Sequence, residues 1–160
     1  MALGDNTLRS AAGNSQRGRN PYMVQTTLNW ATALSDKESA LAASDVVPVI
    51  AVPKGTMVLN AGIEVDTQTD GSTFTVDLGM VDADVFVDGF DATSAAAVVA
   101  QNPAAYQPVM AVADDNIDVT IATLSGGAVT SGKFRIWAVL MDCTDMGDTA
   151  ADEVDRDALA

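Results

Sequence analysis

Histidine is absent from the 160-residue sequence, and cysteine occurs once, at Cys143. Without histidine, Ser-His-Asp and Cys-His catalysis and histidine-containing zinc sites are excluded. One cysteine cannot form a disulfide within the chain, and its place after an apolar strand pattern predicts a buried small hydrophobe. Neither a P-loop nor a dinucleotide-binding glycine pattern is present. We therefore predict a protein that is not an enzyme and uses no cofactor.

Positive charge is also scarce, since 8 basic residues face 22 acidic ones and the formal charge is −14. Phosphate would repel such a chain, so we expect no binding to nucleic acid or to anionic membranes. No apolar run approaches the ~20 residues of a transmembrane helix. The first twenty residues lack the apolar stretch of a signal peptide. The expectation is a soluble protein, made in the cytoplasm and not exported by that route.

Aromatic residues are few, with eight in the whole chain. The 48% hydrophobic fraction is inflated by alanine, so little bulky apolar material remains for a core. The length favours a single domain. A small domain with a thin core often gains stability by forming oligomers or by docking on a partner.

Charge divides the chain into three parts. Residues 1–20 contain Arg9, Arg17 and Arg19 among small polar residues and carry a net charge of +2, which predicts a basic, flexible arm. The arm either lies across an acidic surface of a partner or neighbouring copy, or is a disordered tail. Residues 21–143 form the predicted body. Residues 144–160 are predicted to be a solvated acidic tail.

The body has the pattern of a β-protein. Eight segments predict strands, at residues 22–30, 46–52, 56–65, 73–78, 85–90, 109–113, 117–121 and 133–141. The segments 56–65 and 73–78 alternate clearly around Asp70-Gly71 and predict a hairpin. The spacing of Ser35 and Glu38 predicts a short helix over 35–43. The fold class is all-β, an antiparallel β-sandwich of jelly-roll type with an extended N-terminal arm. An immunoglobulin-like sandwich is the rival, although its Cys-Trp-Cys spacing is missing.

The densest acidic group contains Asp82, Asp84 and Asp88. Alternate carboxylates could bind calcium, but an EF-hand needs an oxygen ligand where Phe86 stands and a glutamate where Thr93 stands. The alternative is a solvated strand face with turn carboxylates. Paired carboxylates could also hydrolyse glycosides, yet the aromatic platforms that sugar-binding sites use are scarce. No metal site is predicted, and calcium binding by these three residues stays open.

The chain resembles small structural proteins of tailed bacteriophages that decorate or cement the capsid exterior. The resemblance spans roughly residues 46–143 and rests on four segments: Val52-Pro53-Lys54-Gly55-Thr56 with residues 57–65, residues 84–90 ending in Asp88-Gly89-Phe90, residues 116–123, and residues 132–142 beginning Gly132-Lys133-Phe134. It implies a virion component with a sandwich body, trimeric, bound to the major capsid protein at a symmetry axis. It implies no catalytic residues.

The leading hypothesis is a decoration protein that stabilises the shell from outside. Its predicted docking residues are Arg9, Arg17, Arg19, Tyr22 and Trp30. A second hypothesis is a glycan- or host-surface-binding module of a fibre, with calcium held by Asp82, Asp84 and Asp88. A third is another virion part, such as a head fibre or a neck or tail component.

Overall fold

A computed structural model describes residues 20–93, 99–100 and 108–143, the pair 99–100 by its backbone alone. The predicted arm and tail therefore lie outside the described residues, apart from Asn20. The elements in chain order are β1 (Tyr22–Asn29), α1 (Trp30–Lys37), β2 (Val46–Val52), β3 (Thr56–Thr67), β4 (Thr73–Gly79), β5 (Val87–Asp91), β6 (Val99–Ala100), β7 (Val109–Met110), β8 (Asp115–Ser125) and β9 (Lys133–Asp142). Over the described ranges, no helix is long and apolar enough to cross a membrane.

The strands form two antiparallel sheets. The first has the order β1-β9-β3, with β6 and β7 both paired to the far edge of β3, and the second has the order β2-β8-β4-β5. The pairings are nested along the chain: β1 with β9, β2 with β8, β3 with β6 and β7, and β4 with β5. A long antiparallel ribbon rolled up in this way is a jelly roll. The predicted all-β sandwich of jelly-roll type is confirmed.

The core lies between the inner faces of the two sheets. On β9, Phe134, Ile136, Ala138 and Leu140 are buried, while the residues between them face outward. Three of the few aromatic rings meet in the core: Trp30 packs edge-on against Phe74 and Phe134, with ring centroids 4.9 and 5.5 Å away. A thin core is thus concentrated on one aromatic cluster.

Proline has the effect on β2 that its chemistry predicts. Pro48 cannot donate a ladder hydrogen bond, so the sequence places this strand at an edge or a bulge. Both features are present, because β2 lies at the edge of the second sheet and its register shifts between Pro48 and Ile50.

The predicted hairpin between residues 56–65 and 73–78 is wrong. Strand β3 pairs with β9, β6 and β7, whereas β4 pairs with β8 and β5, so the two strands belong to different sheets. Alternation reveals that a strand has one buried face but not which sheet it joins. The backbone at Gly71 also lacks the positive φ of a two-residue Asp-Gly turn. The connection crosses from one sheet to the other instead.

The predicted helix over 35–43 is also wrong in position. Helix α1 starts at Trp30 because the Asn29 side chain accepts a hydrogen bond from the Ala31 N–H at 3.0 Å, and this cap also ends β1. Glu38 ends the helix in the left-handed conformation, with φ 58°. A capping-box spacing at Ser35 therefore falls at the C-terminal end of the helix.

Cys143, predicted to be buried, is half-buried.

Candidate docking surface

One end of the sandwich contains the start of β1, the β2–β3 turn, the β4–β5 loop, the β7–β8 loop and the end of β9. The registers place them together, because Tyr22 lies opposite Leu140, Thr56 opposite Asp142 and Val52 opposite Asp115. We call this the arm end, since the chain from residues 1–19 enters the body here.

Backbone hydrogen bonds join the loops of the arm end. Gly55 N–H donates to the Ala111 carbonyl at 2.7 Å, Ala111 N–H donates to Thr56, and Cys143 N–H donates to Gly55. The Asp114 carboxylate accepts from the Lys54 N–H at 2.9 Å. Gly55 has φ 82°, a left-handed conformation that glycine tolerates, so Pro53-Lys54-Gly55 forms the turn between β2 and β3. These bonds tie loops of both sheets into one surface.

The arm end exposes large apolar side chains. Val81 is 90% exposed, Val112 is 78% exposed and Tyr22 is 44% exposed. Single exposed apolar residues are ordinary, and three at one end of the body mark that end as a candidate docking surface. Sequence reasoning selected Tyr22 and missed both valines. Each valine lies in a turn close to aspartates, where a polar residue is expected. An apolar residue in such a turn is the sequence signal that could have identified both valines.

Acidic residues crowd the same part of the molecule. A hydrogen bond with Asp84, together with the charge of Asp84, raises the pKa of Asp82. Burial, followed by the charges of Asp88 and Asp84, raises the pKa of Asp77 although Gly89 N–H donates to it at 2.7 Å. The negative charge predicted from the sequence is therefore dense enough here for carboxylates to disfavour each other's ionisation.

The same acidic residues do not assemble into a cation site. Asp82 and Asp84 lie together in the loop after β4, but Asp88 belongs to β5. Within the described ranges, no group of three or more acidic or cysteine side chains is arranged to hold a metal ion. Calcium binding through Asp82, Asp84 and Asp88 therefore gains no support from this geometry.

The predicted docking residues have different placements. Arg9, Arg17 and Arg19 lie outside the described residues, and Tyr22 stands exposed at the arm end. Trp30 has no exposed surface and lies at the opposite end of β1, where its backbone N–H donates to the Gly132 carbonyl at 3.1 Å. Because the core holds this ring against Phe74, Trp30 is a core residue in this fold, and a role as a surface anchor is corrected.

The structure is a jelly-roll sandwich with an acidic end that also exposes apolar side chains. No protein-family model matches the chain, and no curated protein matches it. Among solved structures, it is similar to a chain of the cyanophage Pam1 capsid asymmetric unit, at 16% identity and a TM-score of 0.59, over 88% of this chain and 97% of that chain. It is also similar to a chain in the capsid of Ralstonia phage GP4, at 16% identity and a TM-score of 0.55, over 79% and 86% of the two chains. At these identities the likeness establishes a shared fold.

Proposed function

We propose that this protein is a non-enzymatic structural component of a phage virion that binds the outer surface of the capsid and stabilises the shell. The observation that carries the proposal is the shared jelly-roll fold, which spans nearly the whole of a chain in the Pam1 capsid. The resemblance to decoration proteins points to the same role from different observations, namely turn and strand segments of the sequence.

The arm end is the side that faces the shell in this proposal. It exposes Tyr22, Val81 and Val112, and the arm with its arginines enters the body beside Tyr22. An extended basic arm can pair with acidic groups of the major capsid protein, while the apolar side chains fill pockets on the shell. The basic arm and the strongly acidic body then make different contacts.

The stabilisation of the shell follows from the linkage between binding and assembly. A protein that binds the assembled shell, and not its free subunits, shifts the equilibrium towards the shell by an amount set by its concentration relative to the dissociation constant. No reacting group is needed for this function. A trimer at a symmetry axis of the capsid is the arrangement that the resemblance implies, and binding at three points would raise the avidity.

Co-sedimentation with purified cognate capsids that lack the protein tests the proposal. We expect the full chain to bind, and deletion of residues 1–20 to abolish binding while circular dichroism shows an unchanged β-sheet body. We expect Val112→Asp to weaken binding, because it places a charge in the docking surface. Val46→Asp is the matched control: Val46 is 54% exposed at the start of β2, away from the arm end. Unchanged capsid occupancy after the deletion would refute the docking role of the arm.

Melting curves with calcium separate this proposal from the fibre hypothesis. A glycan-binding module that uses Asp82, Asp84 and Asp88 should gain melting temperature on addition of calcium and lose it with a chelator. A decoration protein that docks through its arm should show neither change. A calcium-dependent shift together with absent capsid binding would favour the fibre module.

A further inference from the structure

The outer face of the first sheet is unusually rich in methionine. Four of the seven methionines in the chain lie there. The register places the outward residues in three rows across the strands: Met23, Val139 and Asn60; Gln25, Trp137 and Gly62; Met141, Met57 and Met110. We call this surface the methionine face. Methionine is flexible and polarisable, and it is common on surfaces that pack against other proteins.

Trp137 lies flat across the middle of this face. A Cβ atom at Gly62 would lie 2.5 Å from Trp137 Cζ2 and 2.7 Å from Cε2, so the indole occupies the space that a side chain on β3 would need. The pairing of Gly62 with Trp137 in the β3–β9 ladder explains this placement. The result is a level, uncharged surface with an aromatic ring near its centre, and aromatic residues are enriched at the energetic centres of protein interfaces.

The methionine face is exposed and of useful size. Met23 is 62% exposed and Met110 is 40% exposed. Three rows of three residues, at strand spacings of ~4.8 Å and row spacings of ~6.8 Å, cover roughly 300 Å². This is more than a third of the ~800 Å² that each partner contributes to a standard interface, and the strand edges and loops around it would supply the rest.

The distribution of charge indicates which partner covers the methionine face. The three rows carry no charged side chain, although the chain as a whole has a charge of −14. Two copies of so acidic a chain repel each other and can pack closely only through an uncharged face. At the border of the face, Arg135 pairs with Glu64 at 2.9 Å, so both signs are available to pair across a contact between identical copies. A basic partner, in contrast, would be attracted to the acidic arm end.

We propose that the methionine face is the surface through which a second copy of this chain packs. The inference does not depend on the proposed capsid role, because it concerns the free protein in solution. It assigns two surfaces to two partners: the methionine face to another copy, and the arm end to the shell.

Sedimentation equilibrium of the full chain tests the inference. We expect the wild-type protein to form an oligomer, and the double variant Met23→Asp, Met110→Asp to sediment near the 16.5 kDa of one chain. Burying unpaired charges should weaken association by at least about 100-fold. The control is Val46→Asp, Thr123→Asp, which adds the same charge at two exposed positions of the second sheet, off this face, and should leave the oligomer intact. A wild-type protein that is monomeric at about 100 μM, or a face variant that keeps the wild-type mass, would overturn the inference.

Tryptophan fluorescence gives a second readout that needs no substitution. Trp30 is fully buried, whereas Trp137 is half-buried on the methionine face, so acrylamide quenching reports mainly on Trp137. Quenching should fall as the protein concentration rises through the association range. Quenching that does not change while the mass rises would place the contact elsewhere and overturn the inference. A monomeric wild type whose face variant loses capsid binding would assign the face to the shell, which also overturns it.

Discussion

Substitution of Asp70 tests the crossover that replaces the predicted hairpin. The Asp70 carboxylate accepts hydrogen bonds from the N–H and hydroxyl groups of Thr130 and from the N–H of Ser131. It therefore fastens the β3–β4 connection to the loop before β9, and so links the two sheets. The Thr130 hydroxyl, the Thr130 N–H and the Ser131 N–H together lower the pKa of Asp70 to about 2.

The size of the effect follows from that shift. A fall in pKa from 3.8 to about 2 corresponds to about 2.4 kcal/mol of stability, at about 1.36 kcal/mol per unit. Asp70 is exposed to solvent, so screening reduces the contribution to about 1 kcal/mol. The folded-state pKa is lowered, so this stability is fully present above pH 3.8 and is lost as the pH falls through 2.

Chemical denaturation of wild-type protein and Asp70→Ala, at one protomer concentration, measures the prediction. The free energy of unfolding of the variant should be lower by about 1 kcal/mol at pH 6, the screened value, because three hydrogen bonds to a charged group are lost. The difference should fall by about half at pH 3 and nearly disappear at pH 2. Asp66→Ala is the control, since the one ion pair of Asp66 among the described residues is at 4.0 Å to Arg135, which already pairs with Glu64. A difference that stays constant from pH 6 to pH 2 would refute this role for the carboxylate.

Three further substitutions test the core, the outer face and the buried charge. Trp30→Ala should lower the free energy of unfolding by about 3–5 kcal/mol in denaturant titrations, whereas an exposed anchor would leave stability unchanged. Gly62→Ala should cost about 1–3 kcal/mol and increase acrylamide quenching, because the new Cβ displaces Trp137; unchanged quenching would contradict this contact. Burial, and then the charge of Asp115, raises the pKa of Asp118, so Asp118→Asn should stabilise the protein at pH 7 by less than about 1 kcal/mol. That gain should shrink as the pH falls towards 3.8, and a gain independent of pH would argue against the titration of Asp118.

The strands were predictable because half-buried strands alternate. Residues 133–141 are largely apolar on both faces, which is typical of a central strand, and β9 lies between β1 and β3. Pro48 placed β2 correctly because a strand that lacks a ladder donor is restricted to a sheet edge or a bulge. The pairing of β3 and β4 was not predictable, because local alternation contains no information about partners distant in the chain.

The candidate surface was predictable only in part. The charges of the arm and body suggested a docking segment, and an exposed Tyr22 agrees with that hypothesis. Trp30 was misplaced because an aromatic residue after a strand has the same pattern whether it faces the core or a partner. Val81 and Val112 were missed because their exposure depends on loops that three-dimensional hydrogen bonding brings together. The methionine face required the strand register, since its rows come from four separate strands.

Cryo-electron microscopy of cognate capsids incubated with the full chain tests the central claim most directly. We predict ordered density on the capsid exterior that fits the jelly-roll body. The arm end should lie against the shell, and the methionine face should lie against a neighbouring copy. Capsids without added density at a saturating concentration would contradict it, as would density that places the arm end away from the shell.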